Sequence, residues 1–156
     1  MSTIHSHLTF SGNCREAMTF YQQCLGGELV FQTVEESPLS EKLPKNMKDF
    51  ILHSTLTNGS LLLMGSDMVP ETGLTKGNAV SLIFNSGSER EIRSCYEKLS
   101  AGGQVTHPLK KNFWGALFGG LTDQFGNHWL LNCNKVQTEH KNKNKNEQRI
   151  TNQDAD

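Results

Sequence analysis

The most constraining feature of this chain is that its order of elements occurs twice. Ile4 to Phe10 alternates, with Ile4, Ser6, Leu8 and Phe10 on one face and His5, His7 and Thr9 on the other, which is the period of a strand. Ser11-Gly12-Asn13 breaks it, and Asn13 is placed to cap a helix from Cys14 to Leu25. That helix carries Ala17, Phe20, Tyr21 and Cys24 at amphipathic spacing, and Gly26-Gly27 ends it. The second half repeats the sequence of events. A strand from Ala79 to Asn85 leads through Ser86-Gly87-Ser88 to a helix over Glu89 to Ala101, with Ile92, Cys95, Tyr96 and Leu99 on one stripe, and Gly102-Gly103 ends it. Each helix is followed by strand signals: Glu28 to Val34, Asp49 to Leu56 and Ser60 to Gly65 in the first half, Gln104 to His107 and two more strands in the second. Such a duplication predicts βαβββ followed by βαβββ.

Sheets with one helix per half make an α+β fold, in which the helices cover the outer faces and a curved mixed sheet forms a cup. The first module spans about 4–66, the second about 79–134, and together they make one domain over 1–136. Residues 137–156 are rich in Asn, Lys, Gln and Glu, a composition expected to be disordered or loosely attached.

The turns are readable as chemistry. Asn58-Gly59 is a hairpin turn, and Asp123-Gln124-Phe125-Gly126 is another, with Gly126 supplying the positive φ and Asp123 bonding the backbone ahead of it. A formal net charge of −1 gives no electrostatic reason to expect nucleic acid or an acidic membrane. No apolar run approaches the roughly 20 residues of a membrane span, and the first residues do not read as a signal peptide. Cys14, Cys24, Cys95 and Cys133 show no zinc spacing. A cytoplasmic protein with free thiols is the expectation.

The segments His7-Leu8-Thr9-Phe10-Ser11-Gly12-Asn13, Glu16-Ala17, Phe20-Tyr21 and Leu25-Gly26-Gly27-Glu28 are similar to those of one family. So are Gly102-Gly103, Phe113-Trp114-Gly115, Phe118-Gly119 and Asp123-Gln124-Phe125-Gly126-Asn127-His128-Trp129. Together they resemble the vicinal-oxygen-chelate superfamily, the glyoxalase, bleomycin-resistance and dioxygenase group, and within it the PhnB-like branch. The resemblance implies paired βαβββ modules, a homodimer, a small-molecule ligand and, in many members, a divalent metal. Its activities range from isomerase and dioxygenase to antibiotic sequestration, so the fold alone leaves function open.

Metal-binding members place His, Gln or Glu on the cup-facing side of the first and fourth strands of each module. Matching Phe10 to Phe84, and Gly59 to Gly126, puts His7, Leu63, Ser81 and Leu130 at those positions. Leucine has no lone pair to give, and a hydroxyl is a poor ligand for most transition metals. His7 is the best single metal candidate. The expectation is therefore a small-molecule binder without the complete metal site and without a cofactor. Its apolar cup would be walled by Leu63, Leu130 and Trp114, floored by His7 and Ser81, and flanked by Phe118. The alternative is a metal-dependent lyase, isomerase or dioxygenase whose divalent ion is held by displaced ligands His5, His7 and His128.

Overall fold

The structure, a computed structural model, describes residues 1–134; the polar tail expected over 137–156 lies outside the described residues. The order is β1 (Ser6–Thr9), α1 (Cys14–Leu25), β2 (Glu28–Thr33), β3 (Ile51–Asn58), β4 (Leu61–Ser66), β5 (Leu82–Ser86), α2 (Glu89–Ser100), β6 (Gln104–Lys111), β7 (Leu117–Thr122) and β8 (His128–Cys133). Short 3-10 turns at Pro38–Glu41 and Lys45–Met47 occupy the long loop before β3. The strands form two four-stranded mixed sheets, β1-β4-β3-β2 and β5-β8-β7-β6. In each, the strand before the helix runs parallel to the last strand of its module, and the remaining pairs are antiparallel. This is the α+β fold of two repeated modules that the sequence demanded.

Each helix packs on one face of its own sheet, and the two helices also touch each other. Their apolar stripes therefore merge in a single core. Tyr21, Met18, Ala17 and Cys14 from α1 join Ile92, Cys95 and Leu99 from α2, with Leu56, Leu117, Leu121 and Leu131 from the strands, all essentially inaccessible to water. Burial of these side chains is the main driving force for assembly, at about 1.5–3 kcal/mol for each large one.

What joins the modules most specifically is the turn between β7 and β8. Phe125 stands edge-on to Phe10, Phe20 and Tyr21 of the first module, with ring centroids 6.5, 5.6 and 6.1 Å away. Beside it, the buried carboxylate of Asp123 accepts from the Tyr21 hydroxyl at 2.6 Å and from the Trp129 indole N–H at 2.8 Å. Its other oxygen accepts from the backbone N–H groups of Phe125 and Asn127. Tyr21 in turn accepts from the Asn127 amide at 2.7 Å. From sequence, Asp123 is a turn former and Tyr21 a packing residue. Both descriptions hold, but neither discloses that one carboxylate ties α1 to the opposite module.

Asp67 does comparable work in the first module. Its carboxylate, also buried, accepts from the backbone N–H groups of Gly12, Cys14 and Ile51. Asn13 occupies the N-cap of α1, yet its side chain makes no capping bond; Asp67, distant in sequence, satisfies the helix start instead. Ser88 caps α2 locally by accepting from Glu91 N–H.

The four cysteines are all free and buried. Burial pushes the Cys14 thiol up to about 11, partly offset by its hydrogen bond with Ser54, and burial likewise raises Cys24 to about 11. Between pH 9 and 11 an unfolded chain would release these protons while the folded one retains them. Stability should therefore be full below about pH 9 and fall as pH rises through that window, measurable as a declining urea midpoint. Asp123→Ala strands two buried side-chain donors and two backbone N–H groups, and should lower unfolding free energy by about 3 kcal/mol. Tyr21→Phe should lower it by about 1–2 kcal/mol in the same urea experiment.

Candidate functional site

The site expected from sequence can be rebuilt from strand register. On β3 and β4, Leu56 faces Leu63, and both are buried in the core; on β7 and β8, Leu121 faces Trp129, and both are buried there too. Leu63 therefore corresponds to Trp129, and Met64 to Leu130. Counting from the turn glycines misplaces this by one residue, because the first turn closes over Gly59 and Ser60 while the second closes over Gln124, Phe125 and Gly126. A slip of one flips a strand residue to the opposite face. Leu63 is thus a core residue on the helix side, at 4% exposure, and not the partner of Leu130 in a cup wall.

Register also moves the second-module position. His7 lies beside Met64, and Ile83 lies beside Leu130, so Ile83, not Ser81, is the counterpart of His7. Ser81 precedes β5 and is exposed. On the faces turned away from the helices, the adjacent positions of the first and fourth strands hold His7, Met64, Ile83 and Leu130. One imidazole, one thioether and two hydrocarbon side chains do not suit a divalent ion with open coordination positions.

The displaced set does not come together either. His5 lies before β1, which begins at Ser6, and is exposed. The Nε2 of His128 is 3.0 Å from the carbonyl oxygen of Gly77, and Nδ1 is 2.9 Å from the Thr122 hydroxyl. A carbonyl only accepts, so Nε2 carries the proton, and Nδ1 directs its lone pair at Thr122. His128 fastens the connection between the modules and has no free lone pair for a metal. Among the described residues no three side chains of His, Cys, Asp or Glu stand close enough to hold a metal ion.

The aromatic candidates separate as well. Trp114 belongs to the turn between β6 and β7, not to a strand, and is 80% exposed with Phe113 edge-on beside it. Asn112 rigidifies that turn, its side-chain oxygen accepting from Trp114 and Ala116 N–H. β6 extends well past the expected His107, to Lys111, which carries this tip far along the sheet. Phe118 is half-buried on the open face of its sheet, edge-on to His107.

The concave surface instead lies where the edge strands β1 and β5 approach. A cleft of about 590 Å³ is lined by Ser6, Leu61, Leu62, Leu63, Ser81, Ile83, Phe84, Asn85 and Trp129, with Glu91 its sole ionisable side chain. A second of about 300 Å³ is lined by His7, Thr9, Asn127 and His128, together with Leu74, Lys76 and Val80 of the connection between modules. The two are counterparts under the repeat: His7-Leu8-Thr9 in one correspond to Ile83-Phe84-Asn85 in the other. The connection fills part of the second and leaves the first roomier. Leu82 lines both. Of the expected site residues, His7 and His128 line the smaller cleft, and Leu63 and Ser81 the larger.

A family model described as "Glyoxalase/Bleomycin resistance protein/Dioxygenase superfamily" matches residues 3–131. The chain belongs to this superfamily. The crystal structure of protein PA1353 from Pseudomonas aeruginosa is similar at a TM-score of 0.76 and 39% identity, over 85% of this chain and 98% of that one. Protein YjdN of Escherichia coli K12 is 29% identical across 84% of this chain and 95% of its own length. A Bacillus cereus structure described as a putative 3-demethylubiquinone-9 3-methyltransferase, PhnB protein, shares the fold at a TM-score of 0.66 and 24% identity, covering 85% of this chain and 100% of that one. In a superfamily of such varied chemistry, the register-corrected positions matter more than membership.

His128→Leu removes the bond to Gly77 while keeping the ring's volume approximately filled. Cleavage of the connection over 70–78 in limited proteolysis should accelerate several-fold, with little change in the global unfolding midpoint.

Proposed function

We propose that the chain is a PhnB-like small-molecule-binding protein, a homodimer, whose ligand sits in the cleft between β1, β4 and β5 and which does not use the superfamily's metal. The observation that carries this reading is the larger cleft. Its volume of about 590 Å³ falls within the usual range for sites that engulf a small organic molecule. Leu61, Phe84 and Trp129 give it apolar surface, and Ser6, Ser60, Ser81, Asn58, Asn85 and Glu91 give it hydroxyls, amides and one carboxylate, which suit a ligand with an apolar body and uncharged hydrogen-bonding groups. The register supports the absence of metal chemistry, since His7 stands beside a thioether and hydrocarbons. It does not support the metal-dependent alternative, because both ring nitrogens of His128 are engaged elsewhere. No helix among the described residues is long and apolar enough to cross a membrane, and action in the cytoplasm accords with four free thiols.

A thermal-shift screen of metabolites and antibiotics tests the reading, because a ligand that binds only the folded state raises its stability by RT ln(1 + [L]/Kd). The screen should yield apolar or weakly polar hits whose shift is unchanged by EDTA. Ser81→Trp, at an exposed position on the rim, should leave the unliganded midpoint near its original value and weaken those hits at least tenfold. Stoichiometric binding of Ni²⁺, Zn²⁺, Mn²⁺ or Fe²⁺ in calorimetry, abolished by His7→Ala, would overturn the metal-free reading.

A further inference from the structure

We infer that the smaller cleft is a subsite for a small oxyanion, a carboxylate or a tetrahedral anion, held by Lys76 and His7. An exposed ammonium on its own attracts anions only weakly, so the case rests on how Lys76 is placed. Its Nζ donates to the carbonyl oxygen of Phe125 and lies 5.5 Å from the centre of the Phe10 ring. The carbonyl satisfies one of three donors, and neither contact supplies a counter-charge. Among the described residues the ion pairs join Lys48 to Glu35 and Lys111 to Glu89, and Lys76 is in neither.

The chain around Lys76 is fastened on its far side, where Gly77 O accepts from His128. The cation is thus tethered at the mouth of a concavity and not left to swing freely, which lowers the ordering cost of binding. Lining the same concavity are His7, whose imidazole has no hydrogen-bond partner among the described residues, and the threonines Thr9 and Thr75. No carboxylate lines it. Donors and a positive charge lining one concavity, with no acid to compete, are what an oxyanion needs. The larger cleft offers the reverse, Glu91 and no cation, so the subsite stands independently of the ligand proposed there.

The test follows imidazole resonances of the full-length protein by NMR, with His7→Gln identifying the His7 signal. Sulfate and inorganic phosphate are added against chloride at matched ionic strength. The expected result is a saturable shift of His7 with one midpoint. Lys76→Gln should weaken it at least fivefold and Lys76→Arg restore it, while Lys98→Gln leaves it unchanged. Acetate and hexanoate form a second arm. Tighter binding of hexanoate by fivefold or more assigns the anion to the head of an organic ligand packed on Leu8 and Leu82, and equal binding assigns it to a free small anion. A His7 shift that rises linearly without saturating, or one that persists undiminished in Lys76→Gln, overturns the subsite.

Discussion

The fold depends on one buried carboxylate. Asp123 collects a phenol from α1, an indole from β8 and two backbone N–H groups of its own turn, so it has no lone pair wasted on apolar surroundings. A charge in such a place is tolerated only when fully partnered. The arrangement is directional where the rest of the core is not. Leucines and methionines from the two modules bring the helices together, and they would accept many relative placements. The Tyr21–Asp123–Trp129 contacts select one. Phe125, wedged among three rings of the other module, reinforces the same choice.

Much of this was legible in the residues. The duplication, both helices, the glycine stops and the two hairpin turns follow from period and turn chemistry, and the helix from Cys14 to Leu25 has the expected bounds. What sequence reasoning missed was of two physical kinds. Long-range polar contacts leave no periodic trace: nothing near Asp67 signals that it caps α1, and nothing near Tyr21 announces Asp123. Register is the other. The two turns differ by one residue, so a count from glycine placed Leu63 on the wrong face, and the true neighbours of His7 emerged only from strand pairing. Trp114 stands outside the expected cup for a related reason: aromatic, β-favouring residues also occupy the tip of a hairpin whose first strand is longer than its pattern suggests.

The candidate site shows how a repeat can diverge. Equivalent depressions arise beside β1 and β5 because the modules are built alike. The connection between modules enters one, bringing Lys76 and narrowing it, while the other stays open with an amide and hydroxyl rim. One architecture thereby offers two chemically opposed concavities at no cost to the shared core. Four of the expected site residues, His7, His128, Leu63 and Ser81, are divided between them, whereas a single cup would bring all of them together.

The position of Asp123 near the end of the fold bears on how the chain emerges from a ribosome. The first module is made well before the turn that satisfies it, so Tyr21, Phe10 and Phe20 must wait through the synthesis of α2, β6 and β7. During that interval α1 offers an apolar stripe and an unmet phenol to any other surface. The nascent half is the vulnerable species, and the stretch most exposed to mispairing between neighbouring chains. Completion of the last hairpin closes that window in a single step, because the same few residues bring the ring, the carboxylate and the indole together.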